Sequence, residues 1–130
     1  MISFYLEADS GLPTYVQLIR QVEHAIRLGR LRPGDQLPSV REVVAGLAIN
    51  PNTVSKAYRE LENRGLLDIR QGVGTFIKDD VVCVPPAAYA NLSRKMVRWV
   101  NEAKLAGMSL EDVRALIDSV LRQMFAEAVA

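Results

Sequence analysis

Five polar residues in the middle of the chain have side chains that bind nucleic acids and a spacing that groups them on a helix. At about 100° per residue of an α-helix, they share or border a single face: Asn52, Ser55, Lys56, Arg59 and Asn63. Asn amides hydrogen-bond to adenine edges, Ser hydroxyls to bases or phosphates, and Lys and Arg to phosphates or guanine. The pattern predicts a DNA-reading face, although a plain solvated face opposite a core stripe has the same composition.

The residues that flank this helix favour the DNA-reading interpretation. Asn50 followed by Pro51 is an N-cap followed by the favoured N1 proline, and a helix start offers free N–H groups to phosphate. Arg41 falls on the non-apolar side of the preceding helix, which crosses the DNA backbone in helix-turn-helix proteins. Gln71 and Gly72 lie between two extended runs and predict a hairpin wing whose backbone can approach a sugar-phosphate edge.

Apolar periodicity and turn residues predict the elements that position these side chains. The pairs Thr14 with Gln17 and Ser39 with Glu42 have the capping-box spacing and predict two helix starts. Ile2–Leu6 is a short apolar run typical of a strand. The predicted order is one strand, three helices, a hairpin and two helices, at about residues 2–6, 14–28, 39–47, 51–64, 66–70 with 75–77, 88–106 and 109–128.

This order predicts an α+β fold that is mainly α, with an N-terminal winged helix-turn-helix followed by a two-helix C-terminal segment. We predict a DNA-binding domain over 1–78, a linker over 79–87 that contains Pro85 and Pro86, and a dimerisation or regulatory segment over 88–130. The 130 residues are 49% hydrophobic and 24% charged, which is ordinary for a globular protein. Such a length has no room for a separate ligand-binding domain of usual size.

The two predicted C-terminal helices carry more apolar surface than one helical hairpin can bury. We therefore expect a two-fold partner, a second copy of the chain, to cover the remainder. The alternative is that both apolar stripes pack on the winged helix as ordinary core. The candidate dimerisation residues are Met96, Trp99, Val100, Val113, Leu116, Ile117, Val120, Leu121 and Met124.

Residues suited to catalysis or metal binding are scarce in this sequence. His24 is the only histidine, and without a partner at a recognised spacing we expect it to be a surface residue. Cys83 is the only cysteine, so no disulfide framework is possible. We expect no enzyme activity, cofactor or metal site. Lacking a signal peptide or a long apolar run, the chain is expected to be cytoplasmic and to have no membrane partner. The net charge of +1 does not by itself indicate nucleic acid.

About half of the chain resembles the GntR-type bacterial regulators. The matching runs are Leu31–Glu42, Asn50–Tyr58, Leu61–Leu67 and Gly72–Ile77. The resemblance implies a winged helix that binds a pseudo-palindromic DNA operator as a dimer. The short tail resembles the YtrA-like branch of the family, in which two helices serve chiefly to dimerise. By position, the resemblance implies DNA contacts at Arg41, Asn50, Pro51, Asn52, Ser55, Gln71 and Gly72.

Pro51 departs from family members that carry a basic residue at this position. Because proline offers no charge, we expect Asn52, Lys56 and Arg59 to supply more of the contact, with a different base preference. The function implied is a homodimeric repressor that occludes a promoter. Two alternatives stay open, a winged helix that binds proteins without operator binding, and a regulator gated by a small ligand or metal in the dimer cleft. No ligand cluster in the sequence identifies such an effector.

Overall fold

Five helices and a small sheet make up the computed structural model, which describes residues 2–126. The elements are α1 Thr14–Arg27, β1 Gln36–Leu37, α2 Val40–Leu47, α3 Pro51–Asn63, β2 Leu67–Arg70, β3 Gly74–Ile77, α4 Pro86–Leu105 and α5 Leu110–Met124, with a 3₁₀ turn at Ala8–Ser10. The chain divides into two units, Met1–Tyr89 and Ala90–Ala130. The three helices, the hairpin and the two later helices confirm the predicted fold class.

The core of the first unit lies between the apolar faces of α1 and α3. Leu18 and Val22 of α1 are fully buried, as are Val54 and Leu61 of α3. Burial of side chains of this size contributes about 1.5–3 kcal/mol each. The apolar stripe of α3, formed by Val54, Ala57, Tyr58 and Leu61, is buried throughout, so the opposite side of α3 is left for polar residues.

The turn between α2 and α3 is defined by caps that were predicted from the sequence. Ser39 Oγ accepts a hydrogen bond from the Glu42 N–H (3.1 Å), and the Ser39 N–H donates to Glu42 Oε1 (3.3 Å). Ala48 ends α2 in the left-handed conformation, with φ 55° and ψ 45°. Asn50 Oδ1 then accepts from the Asn52 N–H (2.8 Å) and caps α3. Two adjacent caps set the short connection of a helix-turn-helix.

The strand predicted at Ile2–Leu6 is not formed. The segment is held instead by two glutamine side chains of α1. The Tyr5 N–H donates to Gln21 Oε1 (3.2 Å) and the Tyr5 carbonyl accepts from Gln21 Nε2 (2.7 Å). Glu7 forms the same pair of bonds with Gln17, at 2.8 and 3.1 Å. A side-chain amide has one donor side and one acceptor side, so it satisfies extended backbone without a neighbouring strand.

The capping box predicted at Thr14 and Gln17 is also wrong. Pro13 is the N-cap of α1, and no side chain caps this helix start. Gln17 does not turn back to Thr14, because its side-chain amide is engaged with Glu7 and also donates to the Leu12 carbonyl (3.0 Å). The spacing was correct for a capping box, but the glutamine has tertiary partners.

The sheet has the order β1-β3-β2 and is antiparallel throughout. The β2–β3 hairpin predicted from the sequence is present, with Leu67 opposite Ile77 and Arg70 opposite Gly74. β1 was not predicted as a strand, because two residues carry no periodic signal. Gln36 of β1 pairs with Phe76 of β3, which on its other side pairs with Asp68 of β2. The hairpin therefore gains a third strand from the segment before α2.

The predicted linker over 79–87 is shorter at its C-terminal end than expected. Pro86 is the first residue of α4, so the helix starts before the predicted Ala88. A proline is tolerated at this position because the N–H that it lacks would have no intrahelical partner. Before the helix, the Val84 N–H donates to the Arg27 carbonyl at the end of α1 (2.6 Å), and Val81 packs against the core.

The second unit contains most of α4 and all of α5. Ser109 and Asp112 form a capping box at the start of α5, with distances of 2.9 and 3.1 Å. The backbone and side-chain hydrogen bonds from Ser109 lower the pKa of the Asp112 carboxyl. The predicted end of this helix at Ala128 lies outside the described residues. Ala103 and Val113 are the buried side chains of this unit within the part that the structure describes.

Candidate nucleic-acid interface

The polar face of α3 is exposed as the sequence predicted. Asn52, Lys56, Arg59 and Asn63 are exposed, and Ser55 beside them is half-buried. The buried stripe on the other side of the helix holds α3 against the core. This arrangement presents amide, hydroxyl and basic groups along one side of a helix whose orientation is set by packing.

The N-terminus of α3 belongs to the same exposed region. Asn50 and Pro51 are both exposed, and the side chain of Asn50 caps the helix through the Asn52 N–H. The cap uses Asn50 Oδ1, so the Asn50 side-chain NH₂ group is directed away from this bond. Asn52 uses only its backbone N–H in the cap, which leaves its side-chain amide for another partner.

Tyr58 fixes the start of α2 against α3. Its hydroxyl donates to the Pro38 carbonyl at 2.6 Å, and both residues are buried. Burial, and then the negative charge of Glu42, raise the pKa of the Tyr58 hydroxyl above its usual value, so it remains a donor. Arg41 lies on the exposed side of α2, two residues after its N-cap, and this contact therefore helps to position it. The bond was not predicted, although a buried tyrosine hydroxyl calls for a partner.

Lys56 is directed toward α1. Its Nζ lies 3.9 Å from the centre of the Tyr15 ring. Such a cation–π contact at an exposed site is worth about 0.5–1 kcal/mol, so the Lys56 ammonium has a defined partner on α1. The sequence placed Lys56 on the same stripe as Asn52 but gave no signal of this contact, which depends on how α1 packs on α3.

A groove of about 910 Å³ runs between α1 and α3. Arg64 lies at one end, where its guanidinium pairs with Glu23 of α1 and with Glu60 of its own helix (3.1 Å to Glu60). The side-chain hydrogen bond to Glu60 and the negative charges of both glutamates stabilise the charged guanidinium and raise the pKa of Arg64. The residues that line the groove are Tyr15, Val16, Ile19, Arg20, Glu23, His24, Lys56, Arg59, Glu60, Asn63 and Arg64.

The wing is the hairpin of β2 and β3. Gln71 and Gly72 are exposed at its tip, as predicted. Beside them, the guanidinium of Arg70 is held by Asp68, with Nε 3.0 Å from Oδ2, and lies 4.8 Å from the centre of the Phe76 ring. The wing therefore presents a basic side chain with a defined position next to an exposed turn.

A side chain from α3 ties this wing to the helix. Glu62 Oε2 accepts a hydrogen bond from the Ile69 N–H of β2 (3.2 Å). The bond joins the end of α3 to the strand that leads to the wing. Glu62 was not among the predicted functional residues, because an exposed glutamate on a helix gives no sequence signal of a tertiary partner.

Gly74 lets β3 begin close to β1, and its replacement is expected to weaken the wing. Its φ is +150°, and a Cβ there would lie 2.5 Å from Gln36 Nε2 and 3.3 Å from Phe76 Cζ. We expect Gly74→Ala to lower the free energy of unfolding by about 1–3 kcal/mol, measured by urea denaturation. Gly46→Ala is the control, because a Cβ at Gly46 meets no atom and alanine favours a helix. Equal stability of wild type and Gly74→Ala would contradict this role.

The predicted dimerisation residues differ in exposure. Trp99, Val100 and Ile117 are half-buried, and Val113 is only 7% exposed. Val113 is therefore covered within this chain and offers little surface to a partner. The other predicted residues are exposed, namely Met96, Leu116, Val120, Leu121 and Met124.

The histidine and the cysteine considered for catalysis or metal binding are both on the surface. His24 is exposed, as predicted, and Cys83 is exposed as well. Residues 2–126 contain no group of three or more His, Cys, Asp or Glu placed to hold a metal ion. Over the same residues, each helix is too short or too polar to cross a membrane.

Comparison with known proteins points to one family. The family model described as "Bacterial regulatory proteins, gntR family" matches residues 14–77. The chain is 34% identical over 116 residues to the HTH-type transcriptional repressor YtrA of Bacillus subtilis (strain 168), covering 88% of this chain and 89% of that protein. Its structure is similar to YtrA from Sulfolobus acidocaldarius, a GntR-family transcription factor, with TM-score 0.54 and 28% identity, over 92% of this chain and 97% of that one.

A second structural likeness covers a smaller share of this chain. The chain is similar to AraR(DBD) in complex with operator ORX1, with TM-score 0.50 and 28% identity, over 59% of this chain and 92% of that one. Residues 14–77, which match the family model, run from the start of α1 to the end of β3. The matched elements are those that carry the candidate interface.

Proposed function

The chain belongs to the gntR family of bacterial regulatory proteins, and on this premise we propose that it binds a pseudo-palindromic DNA operator as a homodimer and represses transcription. The observation that carries the proposal is the exposed polar face of α3, capped at Asn50 and held from behind by a fully buried stripe. Support comes from YtrA of Bacillus subtilis, which is named a repressor, and from AraR(DBD), which was solved with operator DNA.

In the proposed complex, α3 enters the major groove with its N-terminal half against the bases. Asn52 reads a base edge, Ser55 bonds to a base or a phosphate, and Arg41 holds the backbone beside α2. The wing approaches the neighbouring sugar-phosphate edge. The full set of proposed DNA contacts is Arg41, Asn50, Pro51, Asn52, Ser55, Lys56, Arg59, Gln71 and Gly72.

The second unit supplies the proposed homodimer contact. Within the described residues, it buries only Ala103 and Val113 to 7% exposure, whereas ten of its larger apolar side chains remain 40–82% exposed. Exposed apolar surface of this extent marks an interaction site, and a unit this small does not usually fold stably without a partner. The exposed set is Leu92, Met96, Val97, Leu105, Leu110, Leu116, Val120, Leu121, Met124 and Phe125.

The proposed division of labour follows the chain. Residues 1–78 bind DNA, 79–85 connect the two parts, and 86–130 dimerise. One winged helix reads only a few base pairs, while two linked copies read two half-sites. Linking raises affinity because the second binding event becomes intramolecular. A dimer on a promoter operator then blocks access of the polymerase.

Selection of bound sites from random duplex DNA at a stated salt concentration tests the operator proposal. We expect an enriched motif with two-fold symmetry, since a homodimer presents the same surface twice. Absence of any enriched motif would contradict sequence-specific binding. That result would favour instead a winged helix that binds proteins. Protein binding that stays intact in Arg41→Ala would support this alternative.

Sedimentation of the protein without DNA tests the dimer separately. We expect a single dimeric species at micromolar concentration. A monomer under these conditions would contradict the proposed homodimer without affecting the claim that the winged helix binds DNA. Addition of candidate ligands in the same experiment reports on an effector that alters the dimer.

A further inference from the structure

The groove between α1 and α3 is lined by four Lys or Arg side chains and by two glutamates. Glu23 and Glu60 are its acidic residues, and both are paired with Arg64. Among residues 2–126, Arg20 and Arg59 form no ion pair, and both are exposed. The middle of the groove therefore presents two arginines that have no carboxylate partner among the described residues.

This groove lies on a defined flank of α3. Lys56 and Arg64 contact α1 through Tyr15 and Glu23, whereas Tyr58 contacts Pro38, which leads into α2. Positions 56 and 58 are about 200° apart around a helix. Lys56, Arg59 and Asn63 of the polar face also line the α1 groove, so the groove borders that face on the side of α1, whereas the start of α2 lies on the other side of α3.

A helix in the major groove has a DNA backbone on each side of it. The major groove of B-DNA is about 12 Å wide, and an α-helix with its side chains has a diameter of about 10–12 Å. The phosphates of the two strands must then run along the two flanks of the helix. On one flank of α3 they meet the N-terminal part of α2, with Arg41. On the other flank they meet the α1–α3 groove.

We infer that the α1–α3 groove is a second phosphate-binding cleft, in which Arg20 of α1 and Arg59 of α3 hold the DNA strand opposite the one held by Arg41. This inference rests on the proposed function and assigns a DNA contact to α1, outside the helix-turn-helix and the wing. Guanidinium groups suit the role because they bind phosphate oxygens through two parallel N–H bonds. The Lys56 ammonium, held over Tyr15 at the same groove, adds to the positive potential there.

Arg20→Gln tests the cleft by its effect on the salt dependence of binding. Loss of one phosphate contact lowers the magnitude of the slope of log K against log salt by about 0.9 per protomer and weakens binding about five- to tenfold per protomer at 0.1 M salt. The loss should be the same for the selected operator and for unrelated duplexes, because phosphates carry no sequence information. The measurement is fluorescence anisotropy of labelled duplexes over a salt series.

Two further variants separate this contact from a general loss of charge. Arg27→Gln removes the same charge two turns further along α1, outside the groove, and should leave slope and affinity close to wild type. Arg20→Lys keeps the charge and should retain most of the slope. Equal behaviour of Arg20→Gln and Arg27→Gln, while wild type binds its operator, would overturn the cleft alone. Failure of wild type to bind any duplex would overturn the proposed function itself.

Discussion

Val120→Glu is expected to convert the protein to a monomer and to weaken operator binding by about 10²–10⁴-fold, the gain that linking two modules provides. Val120 is 45% exposed on α5, so the substitution leaves the interior of its own chain largely untouched. In a two-fold dimer it places a carboxylate from each copy in the apolar contact, where burying an unpaired charge is costly. Sedimentation and anisotropy titration of the same sample measure the two effects.

Ser119→Glu is the matched control for this experiment. It adds the same charge at the adjacent position, which lies away from the apolar face of α5 because successive residues are about 100° apart. We expect it to remain dimeric and to bind the operator as wild type does. If Val120→Glu stays dimeric, the α5 face is not the dimer contact. If it becomes monomeric with unchanged operator affinity, the link between dimerisation and DNA binding is wrong.

Asn52→Ala is expected to remove base preference at one position of each half-site. An amide that pairs with adenine contributes about 1–3 kcal/mol of discrimination, and a homodimer makes this contact twice on a palindrome. Asn52 is exposed, and only its backbone N–H takes part in the cap on α3. The helix should therefore persist in the variant. Site selection with wild type and variant measures the loss of preference position by position.

Arg41→Ala provides the comparison that separates reading bases from holding phosphates. We expect it to weaken binding to all duplexes alike and to lower the salt slope by about one per protomer, with the selected motif unchanged. Asn52→Ala should change the motif and leave the salt slope as it is. If both variants lose affinity without any change in motif, Asn52 does not read a base.

The helix-turn-helix was predictable because its local signals agree with one another. Ser39 with Glu42, Asn50 with the following proline, and the apolar spacing from Val54 to Leu61 each specify the same boundaries, and the structure has them all. Such features depend on residues within one or two turns. For the same reason, the exposed polar face of α3 could be named residue by residue before its surroundings were known.

The remaining features depend on tertiary partners that local patterns do not reveal. Gln17 had the spacing of a capping residue, yet its amide binds the backbone of Glu7. Lys56 lies over the Tyr15 ring, a contact that its predicted position on the polar face of α3 did not indicate. In each case a flexible polar side chain has several partners within reach, and the packing of α1 decides between them. The α1–α3 groove was not foreseen for this reason.

The position of β1 in the sheet determines the order in which this domain is completed during synthesis. β1 is made before α2 and α3, but its partner β3 is the last element of the winged helix to leave the ribosome. The helices can pack on one another while the sheet still lacks its central strand. Because β1 is only two residues long, it offers little unpaired edge to other chains in that interval. The wing is thus the final part of the DNA-binding surface to form on each nascent chain.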